Sequence, residues 1–330
     1  MHTDYFPLGV ASGEGFCNRV NERHWLLTNF KENAHSLIMS PRRYGKTSLV
    51  LKAISLAQHP YIQIDFFSSR NIEDIEKEII KKVGEGLARI MPPSQKFLEL
   101  IKSTMQYFQA SLMMQHSGLS IGLQVTANRE PHQNIEDILL GLEKMGEKTN
   151  KIIIIFMDEF QEVSNIAEVK AVEGTIRRVA QETKFLRFVF SGSNRHLLSQ
   201  MFEDSNKPFY LLCEKLKLER IHEKDYLAYI NHAAEKRWNK TLEVEVIKDI
   251  LTVTERHPHY VNRLCRRLWL EAKPPGKDDV YRTWRQYTAE EVSQVAQDIA
   301  GLSDNQRRLL ITLSRESGVS KPTSQEFSKK

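Results

Sequence analysis

Between Ser36 and Leu56 this sequence changes its conformational preference twice, and that stretch constrains the fold more than any other. Ser36-Leu37-Ile38-Met39 is an apolar run of strand length that stops at Ser40-Pro41. From Lys46 to about Leu56 the apolar residues recur at helical spacing. Only the tight loop Ser40-Pro41-Arg42-Arg43-Tyr44-Gly45-Lys46-Thr47 lies around that junction. A strand that turns so abruptly into a helix aims the helix's unpaired N–H groups, and its positive dipole end, at the space above the strand. Such a junction is ready to receive an anion.

Further strand-sized and helical segments alternate downstream. Tyr61 to Phe66, Lys151 to Met157, Phe185 to Phe190 and Cys213 to Leu218 read as strands. Ile72 to Ile90, Ile135 to Met145 and Ala167 to Lys184 read as helices. This alternation predicts a mostly parallel sheet covered on both faces. Residues 94–132 look like an insertion: Phe97 to Met114 is expected to be helical, and Leu119 to Val125, which alternates with period two, to be a short strand or hairpin arm. Past Glu219 the pattern turns wholly helical, over Glu223 to Trp238, Leu242 to Glu255 and His259 to Ala272. Lys273 to Asp279 reads as a turn or linker, with helices at Thr288 to Ala300 and Asp304 to Leu313 beyond it. The expected division is an α/β core over 1–220, a helical unit over 221–285 and a further C-terminal unit over 286–330. At roughly 100–200 residues per domain, a chain of 330 residues accommodates this.

Composition excludes several classes. With 41% hydrophobic and 27% charged residues the chain can bury a core, so wholesale disorder is ruled out. Three widely separated cysteines, Cys17, Cys213 and Cys265, have neither metal-ligand spacing nor the even count of a disulfide framework. No secretory pattern opens the sequence and no apolar run reaches the ~18 residues of a membrane span, so a cytoplasmic protein is expected, with no membrane partner. The net charge of +5 permits an acidic partner such as DNA without demanding one.

The loop at 40–47 matches the phosphate-binding pattern G-x-x-x-x-G-K-[ST], except that Ser40 stands where the first glycine belongs. Lys46 would reach the β- and γ-phosphates, and the Thr47 hydroxyl would ligate Mg²⁺. Ile152 to Met157 delivers Asp158-Glu159 at a strand's carboxyl end, where ligands bind in open α/β sheets. Asp158 would hold the metal, and Glu159 would polarise an attacking water. That second acid argues for a hydrolase over a small-molecule kinase. The strand after it ends in Ser191-Gly192-Ser193-Asn194-Arg195, whose polar side chains, Ser193 and Asn194 foremost, are candidates to sit beside the γ-phosphate. Asp65 ends another strand, as a structural cap or a water-positioning group.

Together these elements resemble the prokaryotic, archaeal-type P-loop ATPases of the AAA+/STAND group. The likeness is strongest over Ser40 to Leu49, since that group often writes its loop with a Pro-Arg-Arg-x-Gly-Lys-Thr core. Met157 to Gln161 is similar to its Walker B element, and Phe190 to Ser193 to its sensor 1 strand. Phe16 to Glu22, with Arg19, resembles the segment that borders the nucleotide base. His257-Pro258-His259-Tyr260 resembles a Gly-x-Pro motif of the helical unit, with Arg256 in place of the glycine.

The resemblance implies core strands in the order 5-1-4-3-2, a helical lid, and the start of a winged helix in Gly301 to Leu310 and Pro322 to Ser328. It implies ATP and Mg²⁺ as ligands, with Pro41, Arg42, Arg43, Tyr44, Gly45, Lys46, Thr47, Ser48, Arg19 and Pro258 around the nucleotide. The function expected is a slow, partner-stimulated ATPase acting as a nucleotide-controlled switch. The alternatives are an origin-recognition-like ATPase that engages DNA through its C-terminal region, and a degenerate ADP-bound scaffold. A homo-oligomer or a protein partner would supply the stimulation. Arg177, Arg178 and Arg195 are rival arginine fingers, and Arg263, Arg266 and Arg267 could touch phosphate from the lid.

Overall fold

Alternation of side chains along the strands builds the molecule. In the computed structural model, which describes residues 5–92, 94–115, 118–126, 129–166 and 169–315, five parallel strands form one sheet. They are β1 (His35–Met39), β2 (Tyr61–Asp65), β5 (Ile153–Asp158), β6 (Leu186–Gly192) and β7 (Cys213–Lys217), in the order β2-β5-β6-β1-β7. Counting these five alone, the order is 5-1-4-3-2 read from the other edge, as expected.

One set of alternate residues, including Ile38, Ile154, Phe156 and Val189, packs under α1 (Val20–Lys31) and α2 (Lys46–Ala57). The other set, including Leu37, Met39, Ile155, Met157, Phe188 and Phe190, packs under α3 (Ile72–Ile90), α5 (Pro131–Thr149) and α6 (Lys170–Glu182). A parallel sheet covered on both faces needs strands that are apolar throughout, and β1, β5 and β6 are buried along their whole length.

The insertion departs from expectation. Phe97 to Met114 is not one helix: α4 (Gln95–Thr104) ends at Met105, and Phe108–Gln115 is strand β3, paired antiparallel with β4 (Gly118–Val125). The apolar spacing across Tyr107 to Met113 suits either periodicity, and pairing with the alternating β4 decides for the strand. Helix α7 (Arg195–Glu203), which the sequence reading left unassigned, follows β6 directly.

Beyond the sheet, α8 (Glu223–Trp238), α9 (Val244–Val253), α10 (Pro258–Leu268) and α11 (Lys277–Ala300) enclose a second core around Ile230, Ile247, Val261 and Leu264. Tyr5 and Phe6, from the far end of the chain, are buried in it. The expected linker over 273–279 is shorter than predicted, because Lys277 already opens α11; Gly276 precedes it and Asp279 folds back to accept from the Gly276 N–H. That helix runs unbroken through position 285. Helix α12 (Asp304–Arg315) follows, and the expected second helix over 322–328 lies outside the described residues. Among the described residues no helix is long and apolar enough to cross a membrane.

Candidate nucleotide site

The register of the sheet brings the motif ends together. Asp65 pairs with Asp158, and Met39 with Gly192, so β1, β2, β5 and β6 release their chains at one edge. Above that edge Gly45 adopts φ +87°, a conformation open to glycine and strained for other residues, which lets the loop bend into α2. Ser40 needs no such freedom: it carries the β1 ladder onward, donating its N–H to Gly192 at 3.5 Å, and is fully buried. A serine therefore serves where the pattern has glycine.

Lys46 is 5% exposed and donates to the carbonyls of Ser40 (3.3 Å) and Pro41 (3.4 Å), with its amine 4.0 Å from Glu159 Oε1. Burial lowers its pKa, against the opposing pull of the Glu159 and Asp158 charges. Thr47 Oγ1 donates to Asp158 Oδ2 at 2.7 Å, while the other Asp158 oxygen accepts from the Ser191 hydroxyl and the Glu159 N–H. A hydroxyl and a carboxylate oxygen in contact are the hard, sparse donor set that suits Mg²⁺, which takes its remaining ligands from phosphate and water. No cluster of three or more His, Cys, Asp or Glu side chains is present among the described residues.

Glu159 itself sits at φ 49°, ψ 40°, a left-handed conformation that costs a non-glycine residue about 1 kcal/mol or more. The strain turns its side chain back over the sheet edge. Oε2 accepts from Gln161 Nε2 (2.7 Å), Ser193 Oγ (2.8 Å) and the Ser193 N–H (3.3 Å). Burial alone would raise this carboxyl's pKa, but those hydrogen bonds and the Lys46 charge outweigh it and hold the group below the usual range. Gln161 is 1% exposed and also donates to Glu162, so two carboxylates fix which way its amide faces.

A cleft of ≈ 320 Å³ opens beside this edge. Its walls include Arg43, Lys46 and Thr47 from the loop, Pro258, His259 and Asn262 from α10, and an N-terminal strap running from Pro7 to Arg19. The strap is tied to both sides. Asn262 Nδ2 donates to the Pro7 carbonyl at 2.8 Å and the Tyr229 hydroxyl to the Gly15 carbonyl at 3.2 Å, while the Ala11 N–H donates to Ser48 Oγ at 2.9 Å.

The sequence-predicted residues divide accordingly. Lys46, Thr47, Asp158, Glu159 and Ser193 come together. Arg19 and Tyr44 brace the loop, Arg19 Nη2 donating to the Tyr44 carbonyl (3.3 Å) and Tyr44 Oη accepting from Arg220 Nε (3.3 Å). Arg43 donates to His259 Nε2, while Arg42 turns the other way, to Ser193 Oγ at 3.4 Å. Pro258 lines the cleft as the first residue of α10. Ser48 spends its hydroxyl on the strap. Asn194 caps α7, accepting from the Leu197 N–H at 3.2 Å, and touches neither acid. Arg178 pairs with Glu136, Arg267 with Glu290, and Arg195 lies 4.0 Å from Glu219.

Sequence reasoning missed the parts played by Ser191, Gln161, Arg220, Asn262 and the strap before Phe16. Ser191 and Gln161 lay inside motifs already singled out; the strap is irregular and left no periodic signal.

No protein-family model matches the chain, and no curated protein matches it. Solved structures do. A Walker-type ATPase of Pyrococcus abyssi superposes with a TM-score of 0.65 at 16% identity, over 93% of this chain and 82% of that one. The ORC2 protein of Aeropyrum pernix in its ADP form gives 0.56 at 15% identity, over 85% and 71%. The Aeropyrum pernix ORC1 protein, solved in complex with DNA, gives 0.55 at 13% identity, over 99% and 79%. With that likeness added to the strand order and the loop geometry, the chain has the fold of the AAA+ P-loop ATPases, a parallel-sheet core followed by a helical region.

Proposed function

We propose that this protein is a cytoplasmic, Mg²⁺-dependent ATPase that uses nucleotide as a conformational switch. The observation that carries the reading is one cradle assembled from distant stretches of chain: the Lys46 amine 4.0 Å from Glu159, beside Thr47 in contact with Asp158. ATP would occupy the cleft with its phosphates over the α2 N-terminus, held by Lys46 and backbone N–H groups. Thr47 and Asp158 would hold Mg²⁺, which when bound neutralises charge on the phosphate oxygens.

Glu159 stays ionised at neutral pH and accepts a proton from water as the water oxygen bonds to the γ-phosphorus. The bond from that phosphorus to the bridging oxygen breaks, and its electron pair stays with ADP. The moving unit is the helical region from residue 221 onward, with Tyr5 and Phe6 packed into its core and α11 running unbroken past position 285, against the α/β core. Support for a switch lies in contacts that join the two across the phosphate loop: Arg43 to His259, and Tyr44 through Arg220 to the Glu255 carbonyl at 2.7 Å. Turnover is expected to be slow and raised by a partner.

A second reading is that the ATPase core regulates DNA engagement, as the likeness to an ORC1 protein solved with DNA suggests. Hydrolysis of ATP and GTP by wild type and Glu159→Gln, each with and without duplex DNA, tests both. We expect ATP hydrolysis by the wild type, its loss in Glu159→Gln by at least about 10²-fold, and retained ATP binding. Unchanged hydrolysis in Glu159→Gln refutes the first reading. Absence of a salt-dependent mobility shift on duplex DNA at low salt refutes the second.

A further inference from the structure

The phosphate loop carries two adjacent arginines, and the fold sends them in opposite directions. Arg43, at φ 64°, reaches the lid through His259. Arg42 reaches back over the sheet edge, its Nε donating to Ser193 Oγ at 3.4 Å, and that hydroxyl donates to Glu159 Oε2 at 2.8 Å. Its guanidinium lies 5.1 Å above the ring centroid of Phe67. Phe67 is 56% exposed, an uncommon place for a bare phenylalanine, and is set by a turn in which its N–H donates to Asp65 Oδ1 at 3.0 Å. The ring is a platform that holds a cation beside the acid pair.

Arg42 and Arg43 make no ion pair with any described residue, unlike several other arginines, and of the two only Arg42 reaches towards the acid pair. Arg178, Arg220 and Arg267 are each committed to a carboxylate within 3.2 Å, and Arg195 lies 4.0 Å from Glu219. The Arg42 charge is felt nonetheless at Lys46, whose ammonium it disfavours. An unspent guanidinium, stacked on a ring and hydrogen-bonded to the serine that holds the base, is a group positioned for negative charge that is not yet there.

We propose that Arg42 is a catalytic residue that meets the transferred γ-phosphoryl group in cis, with Phe67 as its positioning residue, so that one chain supplies the cation other arrangements draw from a neighbour. The inference rests on the hydrolytic reading above. As the water oxygen bonds to phosphorus and the bond to the ADP oxygen breaks, charge spreads over the equatorial oxygens; Arg42 stabilises that charge and neither gives nor takes a proton, which passes to Glu159.

The test compares wild type with Arg42→Gln, Arg42→Lys, Phe67→Ala and Phe67→Tyr. Arg42 and Phe67 are exposed, so the variants are expected to melt within a few degrees of the wild type. Arg42→Gln should lower kcat about 10²-fold while KM for ATP and affinity for fluorescent ADP change little, and it should lose trapping of ADP with aluminium fluoride. Arg42→Lys should fall between, since an ammonium keeps the charge but not the planar stack. Phe67→Ala should lower kcat several-fold, with Phe67→Tyr restoring it. The wild-type rate per chain should stay flat across protein concentration and in mixtures with Lys46→Ala chains. Wild-type hydrolysis that survives Arg42→Gln, or a rate that climbs with concentration and is poisoned by Lys46→Ala copies, overturns this inference alone. A wild type that binds no ATP overturns the hydrolytic reading and this inference with it.

Discussion

Arg256 shows how much a single backbone angle can cost. It follows Glu255 at the end of α9, and the two sit at φ 55° and φ 49°, consecutive left-handed residues with side chains that disfavour them. The turn is kept because Arg256 N–H closes onto the Leu251 carbonyl and delivers Pro258 and His259 to the cleft. Replacing Arg256 with glycine should stabilise the protein by about 1 kcal/mol, read as a higher thermal midpoint; a lower midpoint would mean the arginine side chain outweighs the strain. His259 offers a second residue-scale test. Burial, then the charges of Arg43, Arg263 and His257, push its pKa down from 6.5 to about 4. The unfolded chain therefore binds more protons between those values, and the stability gained by keeping this ring neutral, complete above pH 6.5, is lost as pH falls towards 4. Urea titrations across that interval should show His259→Gln losing less stability than the wild type on acidification. An equal loss would place the titration elsewhere.

At the scale of elements, the turn after β5 and the end of β6 are packed as one piece. A side chain on Gly192 would place its first carbon 1.9 Å from Gln161 Oε1 and 3.0 Å from Leu198. Gly192→Ala should therefore displace Gln161 and Ser193 from Glu159, cost about 1–3 kcal/mol, and lower hydrolysis more than a surface mutation of equal cost. Unaltered hydrolysis would show that Glu159 does not depend on this packing.

The same region explains what could be read in advance. The strands and the phosphate loop were legible because their signals are local: apolar runs of strand length, and a Gly-Lys-Thr set between a strand-sized run and a helical one. Ser191 and Gln161 were in view as letters, but which of several adjacent polar residues faces Asp158 or Glu159 depends on strand register and on a left-handed turn, and neither is written in composition. The β3–β4 hairpin was half-missed because β3 shares its apolar spacing with a helix until a partner strand chooses between them. Of the strap only Phe16 to Arg19 was in view; the rest gave no signal, since its order comes from tertiary hydrogen bonds to Ser48, Tyr229 and Asn262.

Over the whole molecule, that strap makes the chain's first described residues part of its second core. Phe6 is 1% exposed and packs edge-on against Trp269 and Tyr229, at 4.7 and 5.4 Å between ring centroids. The cleft is thus bounded by a core, a helical region and a segment anchored in both. Phe6→Ala should cost about 3–5 kcal/mol by emptying a packed aromatic site, and should weaken nucleotide binding although Phe6 does not line the cleft. Unchanged affinity would mean the strap does not shape the pocket.

All of this depends on Lys46 and the Asp158–Glu159 pair enclosing one triphosphate. A crystal structure of Glu159→Gln grown with ATP and Mg²⁺ measures that directly. The account predicts nucleotide in the cleft, the Lys46 amine within hydrogen-bond reach of its β- or γ-phosphate, and Thr47 and Asp158 at the metal. Nucleotide bound elsewhere, or phosphates remote from Lys46, would contradict it.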